Sequence, residues 1–225
     1  MVLEKLLNLR ININMVRFDN AITTFQHAIS RSVEMISLYD ALVALRRNQP
    51  ENDDALRSAY FQVVSSFDFL AHEIAAIEGR FRFESSLPTR NLSLPMEIIT
   101  ITDVVDRVNA AEIKIRHVNS FKAFVDPGKL AEMLSCYCEQ PWEKIADAYN
   151  IPRDENDKKT AEDLKTRLKN IWKRRNQIAH EADVNPTMAG ISLWPITKED
   201  TQLTVEFIKE LGECLPTVIS QPLNV

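Results

Sequence analysis

Large apolar residues recur three or four positions apart over four long stretches of the chain, the period of an amphipathic helix. These stretches span roughly residues 18–47, 54–78, 160–184 and 198–215. Thr160 or Asp163 can cap the start of the third stretch, and Thr197 can cap the fourth. The pattern therefore predicts an all-α protein whose core is a helical bundle built from these four stretches.

The segments between these stretches predict an insertion and short accessory helices within a single domain, 1–225. Residues 80–96 concentrate Ser, Pro and Asn and place arginines beside Phe81 and Phe83, which predicts a long loop insertion. Such a mixture can bind single-stranded RNA, but more often it anchors a loop. Shorter helices are predicted near 102–118, 129–138 and 142–149. Residues 1–17 are predicted to form an N-terminal arm, and Pro216 to end or bend the last helix.

Composition narrows the class of protein. The chain has 225 residues, 45% of them hydrophobic and 26% charged, as in ordinary soluble proteins. Only 4 glycines argue against a β-sandwich or a nucleotide-binding α/β fold. No run approaches the roughly 20 apolar residues of a membrane span, so no membrane association is predicted. A net charge of −5 argues against nonspecific coating of nucleic acid, so any RNA contact should be local, near 169–175.

The cysteines and histidines argue against a metal centre. Cys136, Cys138 and Cys214 are an odd number without a disulfide framework, which favours a reducing, cytoplasmic location. Cys-Tyr-Cys is poor zinc spacing, and the 4 histidines include no His-x-x-x-His pair. We therefore expect buried thiols, no metal and no cofactor.

The candidate chemistry lies between Lys173 and Asp183, the densest cationic run in this acidic protein. On a helix, Asn176 and His180 stand about 40° apart, so the amide can reach the imidazole and fix its tautomer. Arg175 is about 140° around the axis and 7.5 Å along it from His180. The two heads meet only through the flexible arginine stem or through a second copy of the helix. A solvated basic face remains the simpler interpretation of this run.

The segment from Arg175 to His180, Arg-Asn-Gln-Ile-Ala-His, resembles the Arg-x-x-x-x-His signature of the HEPN superfamily. More narrowly, it is similar to the HEPN family grouped with the ribonuclease L nuclease domain (RiboL-PSP-HEPN type). Residues 56–60 and 65–73 resemble the second-helix pattern of that family, and Gly190-Ile191 and the last helix also fit it. The resemblance implies a dimeric, metal-independent endoribonuclease in a toxin or phage-defence setting, with an antitoxin or another defence protein as partner.

The resemblance also implies roles for individual residues. His180 would transfer protons, Arg175 would stabilise charge on the phosphate, and Asn176 would orient the ring. Within the run, Lys173 and Arg174 are candidates for RNA binding, and Asp183 could help to orient the site. Asp68 and His72, on the second predicted helix, could position Arg175 or His180 across the helix interface. For Asp68 and His72, a surface ion pair worth at most about 1 kcal/mol is the slightly favoured interpretation. The competing functional class is a HEPN-like module that dimerises and binds a partner or nucleotide without cutting RNA.

Overall fold

The computed structural model describes residues 16–46, 50–188, 192–220 and 223, and its regular structure is helical. The α-helices in those ranges are α1 (Asp19–Arg46), α2 (Asp53–Glu84), α3 (Met96–Ile99), α4 (Val104–Asn119), α5 (Pro127–Leu134), α6 (Pro141–Asn150), α7 (Ala161–His180) and α8 (Lys198–Ile219). The all-α prediction is confirmed. Most of the predicted arm, through Met15, and Gly190-Ile191 lie outside the described residues.

Helix α2 is the centre of the bundle, because α1, α4, α7 and α8 all pack against it. Its interior side chains include Leu56, Val63, Phe67, Leu70 and Ile74, each no more than 1% exposed. Burying such side chains stabilises each by about 1.5–3 kcal/mol. The four predicted core helices are therefore all part of the bundle, with the signature helix α7 against α2. Helix α4, predicted as an accessory helix, packs against α2 as well.

The predicted insertion begins later than expected, because α2 continues to Glu84 rather than ending near residue 78. Gly79, the residue after the predicted end, lies inside α2. A Cβ at this position would lie 2.7 Å from Ile115 Cδ1 and 2.9 Å from Tyr137 Oη. Glycine is therefore required here by the close approach of neighbouring side chains, at a helix-propensity cost of about 1 kcal/mol.

A buried ionic network explains why the helix continues. Glu78 is 1% exposed and accepts hydrogen bonds from Arg82 Nε, at 2.7 Å, and from the Arg17 guanidinium. Arg82 also donates to the carbonyls of Pro88 and Ile219, at 2.9 and 3.2 Å. The network joins α2 to the insertion and to the end of α8.

The insertion arginines are anchors. Arg80 donates to Glu112 at 2.6 Å, Arg82 is buried, and Arg90 contacts Glu139. Because their guanidinium groups bind protein acceptors, the structure favours loop anchoring over RNA binding for this segment. Pro216, predicted to end or bend the last helix, lies within α8, which continues to Ile219, so it does not end the helix. In the described ranges, no helix combines the length and apolar character needed to cross a bilayer.

Candidate active site on helix α7

Helix α7 begins with a capping box. The backbone N–H of Asp163 donates to Thr160 Oγ1 at 3.1 Å, and the Asp163 carboxylate accepts from the Thr160 N–H at 2.9 Å. The buried face of α7 carries Leu164, Leu168 and Ile171. The helix ends at His180, four residues before the predicted position 184. Its C-terminal half carries the whole Arg-x-x-x-x-His signature.

The chain turns sharply after His180. Ala182 and Asp183 have φ angles of 50° and 57°, in the left-handed region that residues other than glycine rarely occupy. Periodicity could not predict this early stop, because both residue types are compatible with a continuing helix. The turn therefore needs contacts from outside the helix to hold it.

Three side chains, which we name the aspartate clamp, supply those contacts: Arg57, Asp183 and Arg174. The Asp183 side chain is only 2% exposed and accepts from Arg57 Nε at 2.6 Å. Arg174 donates to both of its carboxylate oxygens, with Nη2 at 3.0 Å from Oδ2. Arg174, predicted as an RNA contact, is thus paired with Asp183. Asp183 holds the end of α7 rather than contacting Arg175 or His180.

Arg175 faces α2, as its position beside the apolar stripe predicts. Its guanidinium lies over the Phe61 ring, 4.8 Å from the centroid, and its Nη1 donates to Asn176 Oδ1 at 3.2 Å. Among the described residues, its buried Nε has no hydrogen-bond acceptor. A buried, unpaired donor costs about 1–3 kcal/mol or more when charged. Arg175 is therefore held in place but has an unused donor for an anion.

His180 has a different environment, because it is exposed at the end of α7. Its ring has no hydrogen bond or ion pair within the described ranges. The Asn176 amide oxygen, expected to orient this ring, instead accepts from Arg175. Helix geometry places the Arg175 and His180 side chains about 140° apart. One chain therefore presents the two groups in different directions.

Asp68 and His72 support another part of the molecule. Asp68 Oδ1 accepts from the Phe124 N–H at 2.6 Å, and His72 Nε2 lies 3.1 Å from the Lys122 carbonyl. The two side chains are 3.9 Å apart, and the His72 ring packs on Phe124. The pair anchors the loop after α4, so the expected contact with Arg175 or His180 is not formed.

An open groove of about 620 Å³ lies between α2 and the last turns of α7. Its lining residues are Asp54, Arg57, Ser58, Phe61, Gln62, Ser65, Ile178 and Ala179. Phe61 is 38% exposed although its ring supports Arg175, and Ser65 Oγ is buried without a partner among the described residues. The groove is therefore an unfilled, partly apolar surface beside the signature arginine. The sequence did not single out Phe61 or Arg57.

The cysteines are poor nucleophiles. Burial raises the pKa of the Cys138 and Cys214 thiols to about 11, and it also raises the pKa of Cys136. Thiols with such values stay protonated near neutrality. No group of His, Cys, Asp and Glu in the described parts of the chain has the arrangement of a metal site.

Comparison with known families now adds to this geometry. The family described as RiboL-PSP-HEPN matches residues 27–221, most of the chain. The chain belongs to the RiboL-PSP-HEPN family. The expected resemblance is therefore confirmed. HEPN membership associates the chain with nuclease or RNA-related function.

The RiboL-PSP-HEPN match begins at residue 27, in the third turn of α1, and ends just beyond α8, so it includes α2, α7 and the clamp. No curated protein and no solved structure matches the chain. The roles of individual residues therefore rest on the structure of this chain and on the chemistry of its side chains.

Proposed function

We propose that this RiboL-PSP-HEPN protein is a metal-independent endoribonuclease. The observation that carries the proposal is the environment of Arg175, which is fixed against Phe61 and Asn176 while its buried Nε has no acceptor. A guanidinium with free donors is suited to bind phosphate oxygens in pairs. The exposed His180 on the same helix supplies an imidazole, the side chain most often used for general acid–base catalysis.

The chemistry needs few protein groups. The substrate's own 2′-hydroxyl attacks the adjacent phosphorus, forming a new P–O bond as the bond to the 5′-oxygen breaks. His180 moves the proton between these oxygens, and Arg175 stabilises the extra negative charge on the phosphorane. The products are a 2′,3′-cyclic phosphate, or its hydrolysed 3′-phosphate, and a 5′-hydroxyl.

We expect purified protein to cleave RNA in the presence of excess EDTA and to leave cyclic phosphate or 3′-phosphate ends. The nucleophile comes from the substrate, so no metal-bound water is needed. Gel electrophoresis of RNA digests, with end analysis by phosphatase and kinase treatment, measures both properties. Loss of cleavage on chelation, or products with 5′-phosphates, would contradict this mechanism.

We also propose that the active form is a homodimer with α7 at or beside the interface. Within one chain the Arg175 and His180 side chains project about 140° apart. The groove beside Arg175 exposes the Phe61 ring and contains an unsatisfied Ser65 hydroxyl. A two-fold axis near this groove would bring His180 of one copy towards Arg175 of the other. The second copy would thus complete the site.

A mixing experiment tests the shared site. Arg175→Ala and His180→Ala proteins are each expected to be inactive alone. After unfolding and refolding together at equal amounts, about one quarter of wild-type activity should return, because half of randomly paired dimers are mixed and each has one intact site. Light scattering on the same samples should give twice the chain mass. A monomer, or no recovered activity in a dimeric mixture, would contradict the shared site.

The second candidate function is a dimerising module that binds a partner without cutting RNA. The observation favouring it is the Asn176 contact with Arg175, which leaves the His180 ring unoriented within one chain. Such a module should keep its partner binding in His180→Ala. A toxin or phage-defence role, restrained by an antitoxin, belongs to the proposal of nuclease activity and depends on it.

A further inference from the structure

The outer face of α7 carries a row of lysines that leads to His180. Lys165, Lys169 and Lys173 are four residues apart, so their side chains project in nearly the same direction. Together with Asn176 and His180 they fall within an arc of about 80°. The centre of this arc lies about 130° around the helix axis from the centre of the face that buries Leu164, Leu168 and Ile171. We name Lys165, Lys169 and Lys173 the lysine row.

The row is available to an external anion. Lys169 and Lys173 are exposed, and neither forms an ion pair within the described ranges. Lys165 is partly exposed and lies 3.7 Å from Glu162, whose side chain is 79% exposed, so this pair is weak. Arg174, the neighbouring cation in the sequence, belongs to the aspartate clamp instead. Arg174 is therefore structural, whereas Lys169 and Lys173 point away from the clamp with no ion pair among the described residues.

The spacing of the row fits an extended nucleic-acid backbone. Successive lysines rise about 6 Å along the axis, and His180 lies about 10.5 Å beyond Lys173. That rise is comparable to the separation of neighbouring phosphates in an extended single strand, whose backbone such basic tracks follow. The one aromatic residue of α7, Trp172, packs against the core rather than standing on this arc. The row can therefore contact phosphates but provides no stacking surface for bases.

We infer that the lysine row binds the phosphates of single-stranded RNA on one side of the scissile bond and directs the strand to His180. A single strand is also the form in which the 2′-hydroxyl can rotate into line with the bond that breaks. The inference rests on the proposed function but concerns binding. Because the row lacks base contacts, it should bind single strands with little sequence preference.

Binding can be measured without cleavage by placing all changes in a His180→Ala background. The probe is a fluorescein-labelled 12-nucleotide single-stranded RNA, and anisotropy is recorded over a series of salt concentrations. Lys169→Gln/Lys173→Gln should bind it several-fold more weakly. The slope of log K against log salt should shrink by about 1.4, two phosphate contacts at about 0.7 each. Lys209→Gln is the control, since it removes an exposed charge from α8.

The outcomes separate clearly. A reduced slope for the double variant, with an unchanged slope for Lys209→Gln, supports RNA binding by the lysine row. Weaker binding of an RNA duplex of equal length supports the preference for a single strand. Equal affinities for the parent and the double variant would overturn the inference; the row would then suit an acidic protein instead. An equal loss of RNA affinity in Lys209→Gln would also overturn the inference, because the affinity would then depend on the overall charge of the protein and not on the position of the lysines. If the lysine row proved not to bind RNA while the protein with His180 intact still cleaved RNA, the proposed nuclease function would stand and only the inference about the row would fail.

Discussion

His180→Ala is expected to reduce RNA cleavage by about 10²–10⁴-fold, the range typical for removing a group that transfers protons. The ring is exposed at the last residue of α7 and has no hydrogen bond among the described residues. Its removal should therefore leave the free energy of unfolding nearly unchanged. Initial rates on a defined oligonucleotide, with thermal melting of the same samples, measure the two quantities.

His27→Ala provides the matched control for this experiment, because His27 is also exposed on a helix but lies on α1. It should cleave RNA at the wild-type rate. Undiminished cleavage in His180→Ala would mean that the proton-transfer role has been assigned to the wrong residue. A large fall in melting temperature would instead indicate a structural role for the ring.

Asp183→Ala is expected to lower the free energy of unfolding by about 3–5 kcal/mol, as happens when one partner of a buried ion pair is removed. Its carboxylate is bound by Arg57 and Arg174, and the Arg57 side chain is itself only 10% exposed. Removing it would leave two guanidinium groups without their shared acceptor and release the left-handed turn after His180. Urea unfolding followed by circular dichroism measures the loss.

The control is Asp40→Ala, which also removes a carboxylate bound to a cation. Asp40 pairs with Lys198 at 2.7 Å, but its side chain is 51% exposed. Such surface pairs contribute at most about 1 kcal/mol. If the two variants were equally stable, the aspartate clamp would contribute no more than an ordinary surface pair, and its role in holding the end of α7 would be wrong.

The sequence predicted the helices well, because each core helix has an apolar stripe and two of them, α7 and α8, also have a capping side chain. Thr160, Asp163 and Thr197 form the predicted caps, because their side chains accept hydrogen bonds from backbone N–H groups at the start of α7 and α8. Errors occurred where tertiary contacts override local preference. The second helix was predicted to end near residue 78, but Gly79 lies inside α2, where its missing side chain accommodates Ile115 and Tyr137.

The site was less predictable for the same reason. Counting residues along a helix placed Arg175 against the apolar seam and His180 away from it, as the structure has them. It could not identify Phe61 as the ring beneath Arg175, because that contact joins residues far apart in the chain. A buried arginine at position 57 was the available sign of the clamp, since arginine in an apolar stripe requires an acceptor.

The network around Glu78 has a consequence for the order in which the bundle folds. Arg17 donates to Glu78 and also to Ser220 Oγ at 3.1 Å, and Arg82 donates to the Ile219 carbonyl. The contacts with Ser220 and Ile219 join residues 203 and 137 positions apart, so they form only when the end of α8 docks on α2. Until then the Arg17 and Arg82 guanidinium groups lack these acceptors. We therefore expect the docking of α8 to be a late step of folding, after the local helices have formed.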